Sequence, residues 1–197
     1  LDVVKFFPAE QAGGLSYIKA IAAPYSSMKF MPTGGINENN LNTYLSFKKI
    51  VCCGGSWIVP DALVKAGKWE EITALCRAAV NKMLGFSVAH IGINCGDEDE
   101  AKATTADFAK LFGWEQKVGN SSVFAGSYVE CMKTPYKGAK GHIAVATNSV
   151  RRAVYQLGHK GVAVDMETAK YDADGRMTFA YLKDEFSGFA VHLVEKK

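Results

Sequence analysis

The chain has 197 residues, 48% hydrophobic and 22% charged, the composition of a folded globular protein with room for one large core or two smaller ones. A net charge of +3 is too small to point to nucleic acid or a membrane surface, no apolar run approaches the roughly 18 residues of a membrane span, and no secretory pattern opens the chain. Five cysteines, with Cys52 and Cys53 adjacent and no CxxC pair, indicate neither a disulfide framework nor a zinc ribbon and fit a reducing cytoplasm.

The opening at Leu1, without a methionine and already strand-like, reads as the internal start of a fragment. Three short apolar runs recur, "DVVKFF" (2–7), "MKFM" (28–31) and "IVCC" (50–53), each followed by a turn and a helical pattern. After the first, Gly13 and Gly14 precede Leu15, Ile18, Ile21 and Ala22 at helical spacing. Asn37 is placed to cap a helix carrying Leu41, Tyr44 and Leu45. "SWIVP" (56–60) predicts a short helix stopped by Pro60, and a longer one carries Ile72, Leu75, Cys76, Ala79 and Met83 on one stripe. Strands apolar on both faces and alternating with helices predict a parallel sheet covered by helices. Three such short units suit the last part of a (β/α)8 barrel. The open doubly wound alternative lacks its usual glycine-rich fingerprint, GxGxxG.

Lys5 stands inside the first run, sharing a side of the strand with Val3 and Phe7. Snorkelling is the ordinary reading of such a lysine. If the amine is buried, the neutral form is favoured, and that form is the nucleophile of Schiff-base chemistry. The next two runs end in "PTGGI" (32–36) and "CGGSW" (53–57), whose paired glycines let backbone N–H groups approach an anion. Either pair alone is a tight turn; two on consecutive strand ends, beside that lysine, predict a phosphate site.

"KFFPAE" (5–10), "PTGGI" and "GGSWIVP" (54–60), in this order, resemble the C-terminal part of 2-keto-3-deoxy-6-phosphogluconate / 4-hydroxy-2-oxoglutarate aldolases, over residues 1 to about 84. The resemblance implies a cofactor-free class I aldolase on a (β/α)8 barrel, homotrimeric in its full-length parent. Such an enzyme cleaves a phosphorylated keto acid to pyruvate and an aldehyde. Carried over, Lys5 is the Schiff-base lysine, Phe7 a pocket wall and Thr33 a substrate contact, while Gly34, Gly35, Gly55 and Ser56 hold phosphate. The family's general-base glutamate and carboxylate-binding arginine fall on strands outside this sequence, so the fragment alone is expected to be inactive.

Gly85 reads as a helix stop, and the pattern then changes, giving domains of 1–85 and 86–197. "FSVAHIGINC" (86–95) and "KGHIAVATNS" (140–149) echo each other. Each precedes a helix, the first opened by the acidic run 97–100 acting as a cap, the second starting at Asn148 or Ser149. A hairpin is expected at "DADG" (172–175). "GSYVEC" (126–131) and "GFAVHL" (188–193) close the two halves and put Glu130 and His192 at equivalent positions. Alternation sets His90 beside Gly92, and His142 beside Ala144 and Ala146, leaving a cavity, with Ile91, Ile93, Ile143 and Val145 toward the helices. The fold class is thus α/β followed by α+β, a duplicated βαβββ domain. That duplication resembles the vicinal oxygen chelate superfamily of glyoxalases, extradiol dioxygenases and bleomycin-resistance proteins. The resemblance implies a divalent metal on His90, Glu130, His142 and His192; the fourth is often glutamate, from which His192 departs. A real site should also give each imidazole an outer hydrogen-bond partner. The rival to an aldolase is a small-molecule-binding module, metal-dependent or non-catalytic, behind a truncated barrel remnant.

Overall fold

A computed structural model describes residues 1–196 as two compact units, Leu1–Met83 and the remainder from Leu84. The first is a mixed α/β unit: β1 (Val3–Phe6), α1 (Gly14–Ala22), β2 (Lys29–Pro32), α2 (Leu41–Leu45), a 3-10 turn (Ser56–Ile58), α3 (Asp61–Lys65) and α4 (Trp69–Leu84). β1 and β2 run parallel, in register from Val3↔Lys29 to Phe6↔Pro32. Val4, Phe6 and Phe30 pack toward the helices, joining Ile18, Ala22, Leu41, Tyr44 and Ile50 in one core.

Three expectations fail locally and one is extended. Run 50–53 forms no continuous strand; among the described residues it and its flanks meet the β2 segment at the isolated bridges Phe30↔Ile50 and Thr33↔Gly54. Asn37 does not cap α2. Its side chain instead accepts from Asn39 N–H in a local turn, and the helix starts after Asn40. Pro60 does stop the 3-10 turn but also opens α3, where its fixed φ suits a helix start. Most consequentially, Lys5 is exposed, with Val3 at 43% and Phe7 at 67% exposure beside it. The helices cover one face of β1, and among the described residues nothing covers the other.

The second unit is one eight-stranded sheet. Its elements are β3 (Ser87–Asn94), α5 (Glu98–Phe112), β4 (Gln116–Val118), β5 (Ser122–Ala125) and β6 (Val129–Met132), then β7 (Gly141–Thr147), α6 (Val150–Gly158), β8 (Val164–Tyr171), β9 (Met177–Leu182) and β10 (Phe189–Glu195). The strand order β4-β5-β6-β3-β7-β10-β9-β8 places the two βαβββ halves edge to edge, with β3 and β7 antiparallel at the centre. Each half reads outward in the same order, so the first and last strands of both halves share the middle of the sheet. Asp97 caps α5 by accepting from Glu100 N–H at 2.8 Å, as the acidic run predicts, and Ser149, not Asn148, caps α6. Asp172 closes the β8–β9 hairpin through Asp174 and Arg176 N–H groups. Ile91 is the exception on the helix side: it is 45% exposed, so no helix covers that point of β3. Among the described residues no helix is long and apolar enough to cross a membrane.

Candidate functional site

In the first unit, the strand ends bring the motif loops together. Thr33 N–H donates to Phe6 O, Ala9 N–H to Thr33 O at 2.8 Å, and Gly54 N–H to Pro32 O at 2.9 Å. Lys5 Nζ lies 5.7 Å from the Phe7 ring centre, and Thr33 follows Met31, the register partner of Lys5, on the same face. Thr33 Oγ1 is buried without a hydrogen-bond partner and lies against Gly54. Gly34 and Gly35 adopt φ of 98° and 79°, a region that favours glycine. Packing also explains two of the predicted phosphate glycines. A Cβ on Gly35 would sit 2.5 Å from Glu10 Cγ, and one on Gly55 would sit 1.8 Å from the Trp57 ring. Ser56 begins the 3-10 turn and is exposed.

Sequence reasoning left Glu10 without a role and gave Tyr44 only a place on a helix stripe. The structure joins them: the buried Tyr44 hydroxyl donates to Glu10 Oε1, and Glu10 N–H donates to Gly34 O at 3.1 Å. Burial first, and the Glu10 carboxylate second, push the Tyr44 hydroxyl up from its ordinary range. Glu10 therefore braces the Gly34–Gly35 turn. The one legible signal was its position two residues after Pro8 in the motif, which says nothing of α2.

In the second unit the four predicted residues form a lattice fixed by strand register. His142 and Glu130 both pair with Gly92, on either side of β3, while His90 and His192 both pair with Ala144, on either side of β7. Two small residues thus alternate with four large polar ones across the central strands. A Cβ on Gly92 would fall 2.0 Å from the His142 ring, so the absent side chain makes room for that imidazole. Nε2 of His90, Nε2 of His142 and Oε2 of Glu130 are mutually 3.1 Å apart. One donor atom from each of His90, His142 and His192 lies within 4.8 Å of the others. His192 and His142 are 4% and 3% exposed.

Burial alone would raise the Glu130 carboxyl; hydrogen bonds from His142, His90 and Ser122 outweigh it and hold the group well below the usual carboxylate range. The Ser122 hydroxyl donates to Glu130 Oε1 at 2.6 Å, a partner the sequence reading missed. Burial, followed by the charges of His142 and His90, pushes His192 down to about 3. The His192 imidazole is thus kept neutral, the form that ligates. Phe124 packs edge-on to His90, and Phe179 and Tyr181 against His192, giving the cluster an aromatic wall. The expected outer partners are not all present. Nδ1 of His142 and Nδ1 of His192 are buried without hydrogen bonds.

Residues 1–75 match the family model "KDPG and KHG aldolase". The KHG/KDPG aldolase of Escherichia coli (strain K12) is 50% identical over 80 residues, 41% of this chain and 38% of the relative. The 2-dehydro-3-deoxy-phosphogluconate aldolase of Pseudoalteromonas atlantica is 51% identical over 82 residues, 42% of this chain and 38% of the relative. Among solved structures, the KDPG aldolase of Legionella pneumophila, with pyruvate captured as a covalent carbinolamine, is 47% identical over 40% of this chain and 38% of its own, with a TM-score of 0.39. Methylmalonyl-CoA epimerase of Streptomyces coelicolor is 20% identical over 55% of this chain and 96% of its own, with a TM-score of 0.40. The chain spans 38% of the length of these curated aldolases, and the part of it that is similar to them lies at its N-terminal end.

Proposed function

We propose that residues 1–84 are the C-terminal βα units of a class I aldolase barrel acting on 2-keto-3-deoxy-6-phosphogluconate or 4-hydroxy-2-oxoglutarate. One observation carries the reading. Lys5 and the two loops ending in Gly35 and Ser56 converge at one end of two parallel strands, within a stretch half identical to curated aldolases. Lys5 Nζ adds to the C2 carbonyl to give a carbinolamine, which loses water to an iminium. The C3–C4 bond then breaks. Its electron pair moves into the iminium to form an enamine, the C4 hydroxyl proton passes to a base, and the aldehyde leaves. Protonation and hydrolysis of the enamine release pyruvate and the free amine. Phe7 walls the pocket, Thr33 contacts substrate, and Gly34, Gly35, Gly55 and Ser56 hold the phosphate. The base and the carboxylate-binding arginine belong to strands outside this sequence, and a trimer is the assembly of the complete barrel. Borohydride reduction of the full-length parent in the presence of pyruvate, followed by peptide mapping, tests the assignment. The adduct should fall on Lys5 and vanish in Lys5→Arg, since a guanidinium is not deprotonated in proteins. Equal labelling of the other lysines would overturn it.

The histidine cluster favours a second reading for the unit from Leu84, a vicinal-oxygen-chelate-type module that binds a small molecule through a divalent metal. Donor atoms of a tetrahedral ion bound at ~2.0–2.1 Å lie ~3.3 Å apart, close to the 3.1 Å triangle of His90, His142 and Glu130. An imidazole N–H directs one hydrogen along one line, so a triangle of three mutual contacts suits a shared ion better than hydrogen bonds alone. His90, His142 and Glu130 would hold the ion, with His192 within reach as a fourth ligand. When bound it would act as a Lewis acid on an oxygen ligand. Three imidazoles and a carboxylate suit zinc, iron, nickel or manganese. Elemental analysis of the untagged chain after reconstitution should give near one equivalent, and a thermal upshift with the metal that His142→Ala removes. No metal and no shift would leave a polar, aromatic-walled pocket instead.

A further inference from the structure

The carbonyl and N–H groups of the turn after β2 are treated unequally. Gly34 O accepts from Glu10 N–H at 3.1 Å, and Gly35 O accepts from the Asn40 and Asn37 side chains at 3.0 and 3.3 Å. Among the described residues the Gly34, Gly35 and Gly55 N–H groups donate to nothing, which leaves them for an anion. Glu10 sits against this turn: a Cβ on Gly35 would fall 2.6 Å from its Cβ and 2.5 Å from its Cγ. Its carboxylate accepts from the buried Tyr44 hydroxyl of α2. That hydroxyl and Glu10 Oε1 lie 3.3 and 3.4 Å from where a Gly14 Cβ would be, so the glycine opening α1 makes room for the pair. Glu10 is exposed, and no lysine or arginine among the described residues pairs with it, so a negative charge stands at the rim of the turn. An anion site gains nothing from a carboxylate there. What Glu10 supplies is the hydrogen bond that ties the turn to α2.

We propose that Glu10 and Tyr44 form one positioning pair for the phosphate turn, in which their hydrogen bond orders Gly34 and Gly35 while the Glu10 charge opposes the anion they hold. The inference rests on the aldolase reading of residues 1–84 and adds to it two residues that act through the turn. The two effects of Glu10 have opposite signs, and substitutions separate them. Glu10→Gln keeps an oxygen for the Tyr44 hydroxyl and removes the charge. Tyr44→Phe removes the donor, keeps the charge and leaves the ring in its core. Glu10→Ala removes brace and charge together. A residue that only packed would give losses of one sign throughout.

Titration of inorganic phosphate into the full chain and its variants, read from the amide resonances of Gly34, Gly35, Gly55 and Ser56, tests this. Glu10→Gln should bind phosphate roughly 2- to 4-fold more tightly than the unsubstituted chain, a gain that shrinks as salt is raised. Tyr44→Phe should bind it roughly 3- to 10-fold more weakly. Glu10→Ala should lose less, because the charge goes with the brace, and the double variant should match Glu10→Ala. Weaker binding in Glu10→Gln, or unchanged binding in Tyr44→Phe, would overturn the proposal. Without phosphate, the Glu10 N–H bonded to Gly34 O should exchange at least ~3-fold faster in Tyr44→Phe. No phosphate-dependent shift at the four residues of the unsubstituted chain would overturn the phosphate reading and the charge effect with it. Exchange decides the brace by itself: an unchanged rate in Tyr44→Phe overturns the pair whether or not phosphate binds.

Discussion

In the unit from Leu84, His142 and His192 lie under aromatic side chains in the middle of eight strands, each imidazole opposite a glycine or an alanine. In Leu1–Met83, Lys5 lies on an edge strand whose only partner is β2, with its apolar neighbours in solvent. Both regions place their reactive side chains on the strand face turned away from the helices. The difference lies in what supplies the other wall. Duplication gives the second unit a second half that closes on the first, whereas β1 of the first unit has, among the described residues, β2 beside it and no layer over its other face. Residues on the strand face turned from the helices should accordingly be under strict packing constraint in the second unit and under almost none on β1 of the first.

Substituting one residue on each face tests that contrast most directly. Gly92→Ala inserts a Cβ 2.0 Å from the His142 ring, forcing the imidazole off its position. The expected cost is about 1–3 kcal/mol of stability in that unit, read from the denaturant midpoint, together with loss of metal uptake. Val3→Ala, on the bare face of β1, should change stability by no more than about 0.5 kcal/mol. Comparable losses at both positions would mean that the first unit is packed on both faces in solution.

The histidine lattice was legible because it rests on two short-range rules, the alternation of side chains along a strand and the echo between halves. Gly92 was read as the small neighbour of His90, although its register partner, and the ring it accommodates, is His142 on β7. Ser122 was not legible at all. It sits on β5, and only the pairing Phe124↔Glu130 brings its hydroxyl to the carboxylate. Tyr44 and Glu10 are likewise 34 residues apart and meet only through the packing of α2. Lys5 was misjudged for a related reason. A two-sided apolar strand states that it prefers burial on both faces, but the residues that would bury it are not its neighbours in sequence. The third apolar run, IVCC, likewise reads as a strand in sequence but forms only isolated bridges.

Ser122 offers a finer test of the second unit. Its hydroxyl bonds the Glu130 oxygen that does not face the imidazoles, so it orients the carboxylate without touching the cluster. Ser122→Ala should lower metal affinity by about 10-fold, the lower end of the cost of losing an outer partner, with His142→Ala costing far more. Competition with a chelator of known affinity measures both. An unchanged affinity in Ser122→Ala would mean that Glu130 is held by His90 and His142 alone, or stands outside the ion's reach.

The smallest effect concerns helix starts, where the two units also differ. α5 and α6 each begin with a side-chain cap, Asp97 to Glu100 N–H at 2.8 Å and Ser149 to Arg152 N–H at 3.4 Å. α1, α2 and α3 begin after Gly13, Asn40 and Pro60, and none of these side chains caps its helix. Asn40 is diverted instead: its side chain accepts from Asn37 N–H and donates to Gly35 O at 3.0 Å, bracing the turn after β2. Asp97→Ala should therefore cost about 1 kcal/mol, and Ser149→Ala less, because its bond is long and uncharged. Asn40→Ala should leave α2 as helical as before, since no cap is lost. Its effect should appear as faster amide exchange at Asn37, which loses the acceptor on Asn40. A loss of helicity on Asn40→Ala, or a neutral Asp97→Ala, would show that the helix starts are held by packing in both units and that the contrast ends at the sheet.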